Sequence, residues 1–165
     1  MKAIPWGTSR TPDKLERARE FGLAGGFATR SAPTAEDGKQ WSAAGVFDIV
    51  IDLAGGPYVN ASLHALAPHG RMMLVGTVAG AKSEIELGLM LGKRVRMIGT
   101  VLRARPLEEK IIVTRAFASE VLPLFASGSL RPAIDSVFKL EDVRRAHEQM
   151  ESNRSFGKIV LSIGG

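Results

Sequence analysis

The run Ala3-Ile4-Pro5-Trp6 passes directly into Gly7-Thr8-Ser9-Arg10-Thr11-Pro12-Asp13-Lys14. A short apolar stretch that meets glycine, hydroxyl residues and then Thr-Pro reads as a strand over 3–7 handing over to a helix. Thr11 suits the N-cap, and Pro12 suits the first helical position, where its missing N–H costs nothing. The first turn of a helix presents free amides and the positive end of the backbone dipole, which favour an anion. Arg10 and Lys14 add positive charge at the same place. The turn is therefore expected to hold a phosphate. From these residues alone, a capped helix with a solvated basic face fits as well.

Working outward, apolar runs alternate with helical periodicity. The first helix spans 12–21 and ends at Gly22. A short strand is expected over 25–29 and a helical or irregular stretch over 34–44. The clearest strand is 47–53, FDIVIDL; its nearly continuous apolar character suits burial on both faces. A helix over 58–66 places Val59, Leu63 and Leu66 on one side. After the turn Pro68-His69-Gly70 comes a buried strand over 71–76, then a helix over 84–91 and a strand over 94–100. A long helix is expected over 107–125, with Ile111, Ala118, Leu122 and Phe125 in one stripe. A strand over 133–138, a helix over 140–150 and a strand over 158–163 close the chain. Strands alternating with helices argue an α/β fold, a doubly wound parallel sheet of Rossmann type. The pattern changes at Ser127-Gly128-Ser129, which divides the chain into 1–128 and 129–165.

In such a fold, the end of the second strand meets the adenosine ribose of a dinucleotide. An acid there selects a free 2′-hydroxyl, and an arginine accommodates a 2′-phosphate. No acid stands at the end of the first strand here, and Arg10 follows it. The economical reading is a site for the 2′-phosphate of NADPH.

Composition narrows the classes. The chain has 165 residues, enough for one domain with a real core, and its 45% apolar and 24% charged residues are globular values. With no cysteine there is no disulfide, catalytic thiol or cysteine-ligated zinc, which fits a cytoplasmic protein. No apolar run is long enough to span a bilayer, and no signal peptide is evident. The net charge of +5 is interleaved with acids, and no nucleic-acid motif accompanies it, so neither nucleic acid nor membrane is an expected partner. His64, His69 and His147 lack zinc-ligand spacing, so no metal site is expected. No G-x-S-x-G elbow is present. Asp48 and Asp52 lie about 13 Å apart along a strand, too far for a carboxylate dyad; Asp52 is expected to cap the following loop.

Taken in order, GTSRTPDKLERAREFGL (7–23), FDIVIDLAGGPY (47–58), ALAPHGRMMLVGTVAG (65–80), GTVLRARPLEEK (99–110) and LRPAIDSVFKLEDVRRAHEQMESNRSFGKIVL (130–161) resemble the C-terminal part of the medium-chain dehydrogenase/reductase superfamily. The branch they resemble most is that of the zinc-free quinone oxidoreductases. The last block, with Ala146-His147 on a helix before Gly157-Lys158-Ile159-Val160-Leu161, is the most specific.

The resemblance implies hydride transfer from NADPH to a quinone or enone. It implies that Gly7, Ser9, Arg10 and Lys14 hold the 2′-phosphate, and that the Leu53-Ala54-Gly55-Gly56 turn passes the adenine side or the phosphates. Gly76 and Thr77 would approach the nicotinamide riboside, Thr100, Val101, Leu102 and Arg103 would flank the carboxamide, and Asn153, Gly157 and Lys158 would return from the far end. It also implies a homodimer through the edge strand 94–100.

The same resemblance exposes a departure. The family's catalytic domain, first strand and glycine-rich pyrophosphate turn have no counterpart here, so the sheet is expected to be incomplete and the chain to be a truncated cofactor-binding half with little activity alone. The alternative is a catalytically silent remnant that binds a nucleotide or a partner. The last two strands are expected to pair with each other or to lie exposed.

Overall fold

The structure, a computed structural model, describes residues 3–29 and 32–164. Two compact units divide the chain, Met1–Ala104 and Arg105–Gly165. The break by packing therefore precedes the change of sequence pattern at 127–129.

In the first unit, β1 (Trp6–Ser9) and β2 (Gly25–Ala28) form a parallel pair, linked by α1 (Pro12–Ala18). A single 3₁₀ turn extends α1 to Phe21, and Gly22 closes it with φ 91°. α2 (Ala35–Ala43) follows, opened by a capping box in which Thr34 and Asp37 bond each other's backbone reciprocally. Those bonds from Thr34 hold the Asp37 carboxyl below its ordinary range. A second parallel sheet runs in the order β3 (Phe47–Asp52), β4 (Leu66–Leu74), β5 (Arg96–Gly99), with α3 (Pro57–Ala65) and α4 (Leu87–Lys93) as connections. This is an alternating α/β architecture with parallel sheets, of Rossmann-like type. In the doubly wound strand order 3-2-1-4-5-6, the two sheets correspond to 3-2 and 4-5-6.

α3 organises the core because its two sides bury different partners. Val59 and Leu63 pack with Leu66, Met72 and Val95, and Val50, Leu74 and Met97 close around them. Ala61 and Ala65 pack with Trp41 of α2, and with Phe27 and Phe47. The C-terminal carbonyls of α3 are capped across the chain: the Lys93 ammonium donates to the carbonyl oxygens of Leu63, His64 and Leu66 at 3.1, 2.6 and 2.6 Å. Partial burial draws the Lys93 pKa down.

Several expectations shift. The first strand is Trp6–Ser9, so Gly7, Thr8 and Ser9 are strand residues and the turn proper is Arg10-Thr11. Thr11 occupies the N-cap, but its side chain makes no capping bond there. β3 is not buried on both faces: Ile49 is 56% and Ile51 68% exposed, because β3 is an edge strand that pairs only with β4 among the described residues. β4 begins at Leu66. The Pro68-His69-Gly70 turn survives inside it as an irregularity, with His69 at φ 63° and the register jumping from Phe47↔Leu66 to Ile49↔Arg71.

The second unit holds α5 (Leu107–Glu120), α6 (Leu122–Ala126), β6 (Ile134–Lys139), α7 (Val143–Glu151) and β7 (Lys158–Ser162). The single long helix expected over 107–125 is two helices that break at Val121. Pro123 explains the break, since it has no N–H to give and its ring clashes with a preceding carbonyl. β6 and β7 pair with each other in parallel, joined by a 3₁₀ turn and α7, whose Ala146 is buried. Asp135 fastens this motif, accepting from the Phe156 amide at 2.7 Å and the Gln149 side chain at 2.6 Å.

Candidate functional site at the carboxyl ends of the strands

In the three-stranded sheet, Asp52, Leu74 and Gly99 stand in one register row. The loops leaving β3, β4 and β5 therefore depart from the same edge, the edge where open α/β sheets bind ligands. The first two loops are tied together. Asp52 O accepts from the Val75 amide at 2.8 Å, Ala54 O accepts from the Ala79 amide at 2.7 Å, and Gly55 bridges Gly80. Thr100 N–H donates to Leu74 O at 2.9 Å and starts the third loop.

Asp52 anchors the first loop, as its place in the sequence suggests. Its Oδ1 accepts from the amides of Ala54 and Gly55 at 2.7 and 2.9 Å. The residue is only 5% exposed, and its Oδ2 has no hydrogen-bond partner among the described residues. A buried carboxylate oxygen without a donor is costly.

Gly55 and Gly76 both sit at this edge, and the close approach they allow is that of the chain's own backbone. A Cβ at Gly76 would lie 2.5 Å from Leu53 O, and one at Gly55, with φ 69°, would lie 2.8 Å from Gly80 O. Thr77 lies exposed beyond Gly76.

At β1, Ser9 ends the strand and its Oγ accepts from the Thr11 amide at 3.3 Å. Arg10 follows, exposed; Gly7 lies within β1 and Lys14 is half-buried in α1. Leu102 and Arg103 are exposed in the loop after β5. Nine of the expected residues, Gly7, Ser9, Arg10, Lys14, Gly55, Gly76, Thr77, Leu102 and Arg103, thus belong to the first unit. Asn153, with φ 56° just past α7, and Lys158, at the head of β7, belong to the second. A concavity of about 240 Å³ beside α1, lined in part by Leu15, Arg19 and Leu23, contains none of these residues.

One polar cluster has no sequence signal. The His64 imidazole (side chain 9% exposed) meets Glu86 Oε1 at 2.7 Å, and Asn60 Oδ1 accepts from the Glu86 amide at 3.1 Å. The bond from His64 holds the Glu86 carboxyl below its ordinary range. These partners are separated by 22 and 26 positions, too far for any local motif to join.

Comparison with known proteins agrees with this architecture. A family model described as zinc-binding dehydrogenase matches residues 27–161. The bovine (Bos taurus) quinone oxidoreductase-like protein 2 is 32% identical over 126 residues, covering 76% of this chain and 36% of the relative. The quinone oxidoreductase of Salmonella typhimurium is 28% identical over 161 residues, covering 94% of this chain and 48% of the relative. Among solved structures, the quinone oxidoreductase of Thermus thermophilus, solved also in complex with NADPH, superposes with a TM-score of 0.78 at 23% identity, over 97% of this chain and 50% of that one. The chain thus spans about a third to a half of the length of these relatives.

The donor set here does not fit the zinc of the family's name. The sequence has no cysteine, and among the described residues no three His, Asp or Glu side chains converge. No helix among the described residues is long and apolar enough to cross a membrane. By its matched length, strand order and paired strand-end loops, the chain belongs to the zinc-binding dehydrogenase family, as the C-terminal, cofactor-binding half of the medium-chain dehydrogenase/reductase architecture.

Proposed function

We propose that this chain is the cofactor-binding half of an NADPH-dependent, zinc-independent oxidoreductase of the quinone-reductase type, reducing a quinone or an enone. The observation that carries the reading is the end of β1. Arg10 stands exposed directly beyond Ser9, and no acid is present there to claim a ribose 2′-hydroxyl. The names of the relatives support the reaction class.

When bound, the cofactor supplies the hydride. The work of the chain is to bind and orient. Arg10, with Gly7, Ser9 and Lys14 around it, grips the 2′-phosphate. The tied loops at Gly55, Gly76 and Thr77 form a rigid ledge along the dinucleotide. Leu102 and Arg103 flank the nicotinamide. β5, at a sheet edge with Ile98 42% exposed, is the proposed homodimer seam. A cysteine-free composition suits the cytoplasm.

Calorimetric titration with 2′-phospho-ADP-ribose against ADP-ribose tests the reading. The phosphorylated compound is expected to bind roughly 10- to 100-fold more tightly, the worth of a charged hydrogen-bonded contact. Arg10→Ala should abolish that difference. Equal affinities in the unsubstituted chain would defeat the proposal.

A further inference from the structure

Thr29, directly after β2, is only 6% exposed although its side chain ends in a hydroxyl. A buried hydroxyl needs partners, and this one has two. Its Oγ1 donates to Ser9 O at 3.4 Å and lies 3.0 Å from the phenol oxygen of Tyr58. The Thr29 amide donates to the same Ser9 carbonyl at 2.8 Å. A hydroxyl has one proton to give. With that proton on Ser9 O, the proton in the second bond comes from Tyr58. The relay therefore runs from the Tyr58 O–H to Thr29 Oγ1, and from the Thr29 O–H to Ser9 O.

Both ends of the relay are held. Tyr58, the one tyrosine in the sequence, stands in the first turn of α3, and its ring packs against the cluster of Trp41, Ala61 and Ala65. Its amide donates to Gly55 O at 3.2 Å, so it is fixed to the loop that Asp52 anchors. At the other end, Ser9 closes β1, and its Oγ accepts from the Thr11 amide at 3.3 Å. Arg10 thus lies between two tethered neighbours, Ser9 by its carbonyl and Thr11 by its amide. A long exposed side chain discriminates between ligands best when the backbone beneath it is already ordered, because less freedom is then lost on binding.

We propose that Tyr58 is a positioning residue: through Thr29 and Ser9 it fixes the Arg10 turn against the Gly55 loop, and so sets the preference for a ligand that carries a 2′-phosphate. The inference rests on the reading of that turn as a 2′-phosphate site. Removing the phenol hydroxyl leaves every charge at the turn in place, so its effect on the preference comes through geometry.

Three substitutions test the relay. Tyr58→Phe keeps the ring and deletes its hydroxyl, Thr29→Val puts a methyl where the second hydroxyl stands, and Thr29→Ser keeps that hydroxyl. Calorimetric titration of the chain with 2′-phospho-ADP-ribose and with ADP-ribose gives a ratio of affinities for each variant, and the urea midpoint checks the fold. Tyr58→Phe should lower the ratio by about threefold to tenfold, the worth of one neutral hydrogen bond, with the affinity for ADP-ribose unchanged. Thr29→Val should do the same, the double variant should lose no more than either single one, and Thr29→Ser should retain the ratio. Tyr58→Phe decides alone if Thr29→Val fails to fold. A ratio that Arg10→Ala abolishes but Tyr58→Phe leaves intact would overturn the relay and leave the 2′-phosphate reading standing. Equal affinities in the unsubstituted chain would overturn both. Additive losses in the double variant, or equal weakening of both ligands, would make Tyr58 and Thr29 supports of the fold alone and also overturn the proposal.

Discussion

α3 and α5 are both amphipathic by sequence, yet they end in opposite circumstances. α3 buries Val59, Ala61, Ser62, Leu63 and Ala65, whereas α5 buries nothing and leaves Ile112 67% and Phe117 47% exposed. The difference lies in what surrounds each. α3 is followed at once by β4 and lies between two buried clusters, while among the described residues the second unit has only a two-stranded sheet. The comparison teaches that burial in this chain concentrates on α3 and β4, whereas the apolar side chains of α5 stand at the surface.

The sharpest way to break that contrast is a pair of truncations. Leu63→Ala removes a side chain with no exposure from the centre of the larger cluster and should cost about 2–5 kcal/mol in urea unfolding. Ile112→Ala should change stability by no more than about 0.5 kcal/mol. A cost at Ile112 approaching that at Leu63 would mean that the α5 face is covered in solution, and the contrast would fall.

A third variant probes the seam between α2 and α3. Gly38 lies in α2, where an added Cβ would come within 2.1 Å of the Ala61 carbonyl oxygen, a backbone atom that cannot rotate away. Alanine is normally the better helix former. Here Gly38→Ala should instead destabilise by about 1–3 kcal/mol, because the helices must separate. A neutral or stabilising result would show that α2 docks loosely, and that the buried clusters on the two sides of α3 differ in rigidity.

The same contrast explains what could be read in advance. The βα alternation, the α3 face of Val59 and Leu63, and the loop-capping role of Asp52 are local patterns, so the residues announce them. The exposure of Ile49 and Ile51 is not local. FDIVIDL carries the composition of a strand buried on both faces, and only the strand order shows that β3 stands at the edge of its sheet among the described residues. The split of the helix over 107–125 was legible at Pro123, but the apolar periodicity runs straight through it. Of the proposed binding residues, Arg10 is marked by its place directly after β1 and Ser9 by its place at the strand's end. The Asn60–His64–Glu86 cluster joins a helix to a loop across more than twenty residues, and no periodicity encodes that.

That cluster yields the smallest expected effect and extends the comparison to pH. Glu86 precedes α4, and its carboxylate and amide bind His64 and Asn60 on α3, so it fastens the periphery to the best-packed helix. Its folded-state pKa is held down, first by the hydrogen bond from His64 and then by that from Asn60. A carboxyl depressed by folding adds stability that is complete above its ordinary pKa and disappears as pH falls through the lowered value. Glu86 is well exposed, and solvent screens the pair, so the effect is a displacement of the urea midpoint and not a loss of fold. In Glu86→Gln the difference from the unsubstituted chain should be greatest near neutral pH and should shrink as the buffer is taken below the ordinary glutamate range. A difference that persists unchanged into acid would assign the anchoring to the backbone bond with Asn60, and would show that the charge on Glu86 plays no part in tying α4 to α3.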